Sequence, residues 1–325
     1  MTGRPKIVVL GADASEPPPG LEGVGEVADL AFASTRQALE EALPGAGVLF
    51  AWHADRELLP AAWPLAKDLK WIQTASAGVD WLLFSDLVES HVVVTNARGV
   101  FDQAMAEYVL GLVLAMAKGL PATLEHQRRK EWAHRDAETL DGQRLLMAGV
   151  GPIGRAIGRT VTLMGMEVRG VGRTSRTGDD VFETIYGADE LAEAVTWADW
   201  IVNALPLTKD TRHLFDDVVF AAMPAHARFV NVGRGATVDE PALVAALRDG
   251  RLAGAALDVF EEEPLPKDSP LWELPNVIVS PHMSGNFAGW REGSVEVFLE
   301  NLVRYVSGRP LTNVVNKRRG YPTGE

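Results

Sequence analysis

Short apolar, often β-branched runs alternate along the chain with Ala- and Leu-rich stretches of helical character. A first series reads KIVVLGA (6–12), VLFAWH (48–53), WIQTAS (71–76) and VVVTN (92–96). A second reads RLLMAGV (144–150), MEVRGVG (166–172), WIVNALP (200–206), RFVNVG (228–233), AGAALDVF (253–260) and VIVSPH (277–282). Several of these runs are apolar without alternation, as strands covered on both faces should be. Strand-helix alternation of this length predicts an α/β chain with two parallel, doubly wound sheets. A helix over 102–118, preceded by the turn-like NARG at 96–99, separates the two series. The stretch 291–308 reads as an amphipathic helix that follows the completed second series, so it is expected to return to the first domain. The predicted organisation is therefore discontinuous: an outer domain from 1–97 and 288–325, and an inner domain from 98–287. The PPP at 17–19 marks a loop.

Composition narrows the function classes. The 325 residues suffice for about two domains. A formal net charge of −13, with no long basic block, disfavours a nucleic-acid partner, which would need a cationic face for phosphates. The short KRR run near the C-terminus reads as a solvated tail. There is no cysteine, so disulfides, thiolate nucleophiles and Cys–zinc sites are excluded, and no metal site is expected. The apolar run near the N-terminus is too brief for a signal peptide and reads as a buried strand. The longest apolar stretch, YVLGLVLAMA at 108–117, is about half of what spans a bilayer, so a core helix and a cytoplasmic, non-membrane protein are expected.

The stretch GVGPIG at 149–154 changes the picture more. Gly149, Gly151 and Gly154, with Pro152 and Ile153 between them, form G-x-G-x-x-G directly after an apolar run and at a helix start. The first glycine permits a tight turn, the second lets a pyrophosphate approach the backbone, and the third lets helix and strand pack closely. The helix N-terminus adds unpaired N–H groups and partial positive charge. An NAD site usually places an acid at the end of the next strand to hold the ribose. Here that position reads Gly172-Arg173-Thr174-Ser175-Arg176, and no carboxylate appears before Asp179. Two guanidinium groups and two hydroxyls suit a 2′-phosphate, which a carboxylate would repel. NADP(H) is the expected coenzyme, with NAD(H) possible if the arginines are merely solvated.

Three polar residues fall at or just beyond the ends of the second series: Arg234, Glu263 and His282. Open α/β sheets bind ligands outside the carboxyl ends of their strands. A ketone that accepts a hydride also needs a proton, and histidine titrates near neutrality. A carboxylate beside it would orient the ring and stabilise the imidazolium. An arginine suits the carboxylate and carbonyl of a 2-keto acid. Taken singly, Arg234 could equally cap a loop and His282 could be a satisfied strand-end histidine. The other histidines, at 53, 91, 126, 134, 213 and 226, have no comparable setting, except that His53 ends a run.

In this combination and order, ASAGVD (75–80), AEYVLGLVLA (106–115), GVGPIG, NALPLTKDT (203–211), FVNVGRG (229–235), ALDVFEEEPLP (256–266), SPLW (269–272) and SPH (280–282) resemble the D-isomer-specific 2-hydroxyacid dehydrogenases over nearly the full length. The chain looks most like their NADPH-linked glyoxylate/hydroxypyruvate reductases. The resemblance implies a flavodoxin-like substrate domain, a Rossmann-like nucleotide domain, an active site in the cleft between them, hinges near Ala97 and Phe287, and a homodimer. It implies that Arg234 binds the substrate's carboxylate and carbonyl oxygen, that Glu263 pairs with His282, and that His282 protonates the carbonyl oxygen. Ala77, Gly78 and Val79 would bind the substrate carboxylate through their backbone. Asp258 would face the nicotinamide carboxamide, and Leu205, Pro206, Thr208, Val232, Gly233, Ser284 and Gly285 would line the coenzyme.

Two departures bear on the substrate. Met283-Ser284-Gly285-Asn286-Phe287 stands where many members carry smaller residues, and Trp52-His53 ends an outer-domain run. These bulky groups fit selection of an aromatic or branched 2-keto acid, or simple packing. Trp132, in RRKEWAH, falls where relatives pack at their dimer interface; a buried structural tryptophan is the other reading. The expected function is an NADPH-preferring reductase of small 2-keto acids to D-2-hydroxy acids. The alternatives are a dehydrogenase for bulkier substrates and a corepressor-like module that binds NAD(P) without turnover. Nothing favours formate or phosphite as substrate.

Overall fold

The computed structural model describes residues 4–53 and 55–322; the first three residues, Ala54 and the last three of the YPTGE tail lie outside them. The chain divides into two units, Met1–Phe101 with Phe287–Glu325, and Asp102–Asn286.

The first unit holds a five-stranded parallel sheet: β1 (Lys6–Leu10), β2 (Asp29–Ala33), β3 (Val48–Ala51), β4 (Trp71–Thr74) and β5 (Val93–Thr95). The strand order is β2-β1-β3-β4-β5, the flavodoxin-like order. Strands β1, β3 and β4 are almost wholly buried, which explains why their sequences do not alternate. Helices α1 (Arg36–Ala42), α2 (Leu58–Ala62) and α3 (Ser85–Glu89) connect them. Thr35 starts α1 by accepting the N–H of Ala38 at 3.3 Å. The edge strand β2 escapes the hydrophobic pattern because DLAFA is only partly buried.

The second unit begins with α4 (Asp102–Ala117) and α5 (Leu120–Arg129). Its sheet contains β6 (Arg144–Ala148), β7 (Glu167–Val171), β8 (Arg176–Thr177), β9 (Thr184–Tyr186), β10 (Trp200–Asn203), β11 (Arg228–Asn231), β12 (Gly254–Leu257) and β13 (Val277–Val279). The order β13-β12-β11-β10-β6-β7-β9-β8 is Rossmann-like: chain direction across the sheet reverses at β6, and all pairings are parallel except β8 with β9. Helices α6 (Pro152–Thr162), α7 (Leu191–Ala194), α8 (Asp217–Ala222) and α9 (Glu240–Arg248) complete the unit. Asp216 and Asp239 cap α8 and α9 by accepting from Val219 and Ala242, each at 3.0 Å.

The last helix, α10 (Trp290–Val306), belongs to the first unit. Val295, Phe298 and Leu302 pack with Ile7, Val9, Phe50 and Trp71 on one face of the first sheet. Ser294 Oγ donates to Ala75 O at 3.0 Å, and Asn301 Nδ2 donates to Gln73 Oε1 at 3.1 Å, so the two buried polar side chains of α10 are satisfied. A short antiparallel pair, β14 (Val315–Asn316) with β15 (Tyr321–Pro322), closes the chain.

Several strands stop earlier than their apolar runs suggest. The runs at 253–260 and 277–282 leave the sheet at Leu257 and Val279. His282 has φ +49°, which no strand accommodates. The tails of these runs form the loops that carry the candidate chemistry. Among the described residues, no single helix is long and apolar enough to cross a membrane. The stretch YVLGLVLAMA lies in α4, which buries Val109, Leu112 and Val113.

Candidate active site

All the polar groups singled out in the second unit follow the carboxyl ends of its parallel strands. The glycine turn follows β6, Leu205 follows β10, Arg234 follows β11, Asp258 and Glu263 follow β12, and His282 follows β13.

The glycine turn has a shape only glycine can make. Gly149 has φ +102°. A Cβ on Gly154 would lie 1.8 Å from the Gly149 carbonyl oxygen, so the helix and strand touch without room for a side chain. Gly151 is the opposite case: a Cβ there would meet nothing within 4 Å. Gly151 caps α6 without a side-chain hydrogen bond, and Pro152 stands in its first turn, with Ile153 after it. Open space in front of an uncapped helix start fits a pyrophosphate. The neighbouring turns close in around it. A Cβ on Gly149 would come 3.1 Å from Ala204 O, and one on Gly233 would come 2.7 Å from Leu205 O. Thr211 Oγ1 donates to Pro206 O at 2.7 Å and accepts from Thr208 N–H at 2.8 Å, pinning the loop after β10.

Beyond β7 the chain forms a hairpin absent from the apolar pattern. Arg173, Thr174, Ser175 and Arg176 are exposed. Arg176 folds back over the end of β7: a Cβ on Gly172 would lie 3.3 Å from Arg176 Nη1 and 3.2 Å from Val150 Cγ2 in the glycine turn. The first carboxylate after β7 is already occupied. Asp179 accepts from Arg155 at 2.5 Å and from the N–H groups of Val181 and Phe182 at 3.0 and 3.1 Å. Burial alone would raise its pKa, but Arg155 and those two N–H groups outweigh burial and bring it down to about 2. The turn thus fits the phosphates of a dinucleotide, and the following loop offers cations with its nearest acid neutralised.

Two of the three candidate catalytic residues meet, and the third, Arg234, lies near enough for its charge to act on Glu263. His282 Nδ1 donates to Glu263 Oε2 at 2.7 Å, which leaves Nε2 as the ring's second nitrogen. Glu263 Oε1 accepts the N–H of Phe260 at 3.0 Å. Burial pushes the Glu263 carboxyl up, but its bonds to His282 and Phe260 and the charges of His282 and Arg234 together hold it below the usual carboxylate value. Arg234 is half-buried, and its Nη1 donates to Gly233 O at 2.8 Å. Its carbonyl accepts from Thr237 Oγ1 at 2.6 Å. The backbone on either side cannot give way, because a Cβ on Gly235 would sit 1.8 Å from the Phe260 carbonyl carbon.

Asp258 is fully buried beneath the histidine loop. Its carboxylate accepts from Ser280 Oγ at 2.7 Å, Met283 N–H at 2.9 Å and Ser284 N–H at 2.8 Å, while its carbonyl accepts from His282 N–H at 2.8 Å. The structure thus makes it the anchor of the loop that turns through Ser284 and Gly285. Val232 is also buried, with its N–H given to Asn203 O at 2.9 Å.

In the first unit the loop after β4 is held by its own side chains. Ser76 Oγ donates to Gly78 O at 2.7 Å, Asn96 Nδ2 donates to Ala77 O at 2.5 Å, and Val79 is buried. Trp52 lies within a row of aromatic rings, stacked on Trp290 at 5.9 Å and tilted against Phe50 at 5.7 Å.

The model of the D-isomer specific 2-hydroxyacid dehydrogenase NAD binding domain matches residues 110–284. D-3-phosphoglycerate dehydrogenase of Methanocaldococcus jannaschii is 33% identical over 300 residues, 91% of this chain and 56% of that protein. The chain thus spans about half the length of that relative. Glyoxylate reductase of Thermococcus onnurineus is 34% identical over 263 residues, 78% of each chain. Among solved structures, the NADPH-dependent glyoxylate/hydroxypyruvate reductase of Sinorhizobium meliloti in complex with NADP and sulfate superposes with a TM-score of 0.85 at 29% identity, covering 98% of this chain and 100% of that one.

This chain belongs to the D-isomer specific 2-hydroxyacid dehydrogenase family.

Membership makes it an oxidoreductase of the 2-hydroxy acid and 2-keto acid pair that works with NAD(P). The structure of this dehydrogenase also reveals supporting residues that the sequence reading passed over. Asn203 Nδ2 donates to Asn231 Oδ1 at 3.0 Å and to Thr237 Oγ1 at 2.7 Å, while Asn203 Oδ1 accepts from Leu205 N–H and Asn231 Oδ1 from Gly233 N–H. This fully buried amide pair shapes the turns after β10 and β11 together. A signal existed: both apolar runs carry an asparagine after three residues, WIVN and RFVN, where the strands end. Tyr108 on α4 approaches Ser280 and Asp258 from another side; burial first, and the Asp258 charge next to it, raise its pKa despite the Ser280 hydrogen bond.

Proposed function

We propose that this dehydrogenase reduces a small 2-keto acid of the glyoxylate/hydroxypyruvate type to its D-2-hydroxy acid and prefers NADPH over NADH. The observation that carries this reading is the His282–Glu263 hydrogen bond, with the Arg234 charge acting on Glu263, beyond the carboxyl ends of strands in the same sheet whose β6 leads into the glycine turn. A bound NADPH supplies the hydride for the carbonyl carbon. His282 donates the proton from Nε2 to the carbonyl oxygen, and Glu263 steadies the imidazolium through Nδ1–H. Arg234 pairs with the substrate carboxylate and draws electron density onto the carbonyl oxygen. The test is a steady-state screen of glyoxylate, hydroxypyruvate, pyruvate, phenylpyruvate and 2-ketoisocaproate with both coenzymes. Preference for phenylpyruvate or 2-ketoisocaproate would instead assign Trp52 and Met283 to a bulkier substrate class. No turnover of any of them, with coenzyme binding intact, would favour a binding module.

The coenzyme preference rests on Arg173 and Arg176 beside an acid that Arg155 has neutralised. Replacing Arg176 with Gln is expected to cost about 10- to 100-fold in kcat/KM for NADPH, the scale of one charge-assisted hydrogen bond, with little change for NADH. Equal losses with both coenzymes would remove Arg176 from the 2′-phosphate site.

A homodimer is part of the same proposal. Helix α5 buries none of its residues, Leu120 and Leu124 are about half exposed, and Trp132 is 98% exposed. The reading of Trp132 as a buried structural residue therefore fails within the single chain. Three large apolar side chains left exposed within one short stretch support a protein interface there. Sedimentation equilibrium is expected to return twice the chain mass, and Trp132→Glu with Leu124→Glu is expected to return the monomer. A wild-type monomer at micromolar concentration would exclude the dimer.

A further inference from the structure

The histidine at 213 has no catalytic setting in the sequence, yet the structure places it between the two loops that carry Arg234 and Glu263. Residues 213–215 run beside 236–238: His213 N–H donates to Ala236 O at 3.0 Å, and Phe215 N–H donates to Thr237 O at 3.1 Å. This ties the backbone of His213 to the turn that follows Arg234. Its side chain reaches the other way, where Nε2 lies 2.5 Å from Glu261 Oε1. Its φ is +50°, a backbone conformation uncommon outside glycine.

The loop 260–263 is gripped along its length. The Phe260 peptide presses on Gly235, the neighbour of Arg234. The N–H of Glu261 donates to Glu240 Oε2 at 3.2 Å, at the first residue of α9. The N–H of Phe260 donates to Glu263, which faces His282. His213 is thus a single residue in contact with the arginine loop through its backbone and with the acid loop through its side chain.

We propose that His213 is a positioning residue for the reduction, bridging the Arg234 and Glu263 loops so that the Glu263 carboxylate meets His282. It touches neither substrate nor coenzyme on this account. The inference rests on the reading of His282 as proton donor and Glu263 as its partner.

The effect should be moderate, because the His213 and Glu261 side chains are 45% and 33% exposed and solvent screens their charges. A misplacement of about 1 Å at a catalytic group can cost about 10²-fold; a slackened loop should cost about tenfold in kcat/KM. The pH profile separates positioning from mere stability. The groups facing Glu263 are His282 and Arg234, with Glu240, Glu261 and Glu262 along or behind its loop. When the loop slackens, Glu263 loses its cationic partner while its burial persists, so its carboxyl titrates higher. The acid limb of the rate profile then moves to higher pH.

The experiment compares kcat/KM against pH for His213→Ala, His213→Gln, Glu261→Ala and the His213→Ala/Glu261→Ala double variant. His213→Ala and Glu261→Ala should each lose about tenfold and shift the acid limb upward, and the double variant should lose no more than either alone, as coupled partners do. His213→Gln, whose amide can still donate to Glu261, should stay within about threefold of wild type with its limb unmoved. If His213→Ala does not fold, Glu261→Ala decides alone by the same shift. A wild-type profile in the alanine variants, or losses that add, overturns the proposal. Wild-type enzyme that reduces none of the keto acids would count against the reaction instead; the Glu263 carboxyl titration, followed by NMR in coenzyme-free protein, would still test the bridge.

Discussion

His282→Ala is expected to lower kcat for keto-acid reduction by about 10²- to 10⁴-fold, the range for loss of a general acid. The geometry makes the loss specific. Nδ1 is committed to Glu263, so Nε2 is the ring's free proton carrier. Coenzyme affinity should be unchanged, because the glycine turn and the loop after β7 do not depend on the imidazole. On the acid side the sign follows from Glu263. Its folded carboxyl titrates below the ordinary value, so the pair persists as pH falls past that value and fails only as pH falls through the lowered one. The stability this carboxylate contributes follows the same course: present above its unfolded pKa, lost as pH falls through its folded pKa. Stopped-flow measurement of NADPH oxidation across pH checks the acid limb. Near-normal kcat in His282→Ala would remove the proposed mechanism.

Gly235→Ala is expected to lower kcat/KM by about 10²-fold or more through a residue that carries no functional group. A single methyl there would stand 1.8 Å from the Phe260 carbonyl carbon and 2.5 Å from Glu261 N. Both neighbours are backbone, so no rotamer change relieves the clash, and the arginine and glutamate loops must move apart. An ångström at this place separates Arg234 from Glu263 and His282 together. Overpacking of this kind also costs about 1–3 kcal/mol of stability, so melting temperature should be recorded beside the kinetics. The control is Gly151→Ala, at a position where a Cβ meets nothing in the protein; its fold should be unaffected and its loss confined to coenzyme binding. Wild-type kcat/KM in a folded Gly235→Ala would show that the loops tolerate separation.

The hydrophobic pattern was informative about the buried strands because parallel strands covered by helices cannot alternate. β1, β3, β4, β6, β10, β11 and β12 all lie within the runs read from sequence. The pattern was silent about the edge strand β2, which is only partly buried, and about the β8–β9 hairpin, whose two short strands bury only Ile185. It also overran β12, where Val259 and Phe260 stay buried past the sheet, and β13, whose run continues into Ser280-Pro281-His282 outside it. Asp258 and the asparagines at the ends of β10 and β11 are fully buried polar groups, and nothing in hydropathy distinguishes them from solvated ones.

Residue types at fixed spacing along one chain therefore determined the strand-helix alternation, the glycine turn with its missing ribose acid, and the candidacy of Arg234, Glu263 and His282. These follow from local chemistry: turn geometry, burial period and the proton and charge needs of hydride transfer to a ketone. Only the tertiary structure decided that Arg155 silences Asp179 and that His213 reaches from one loop to the other. Those choices depend on which backbone segments pack within a few ångströms of each other, and segments tens of residues apart leave no periodic trace in the sequence.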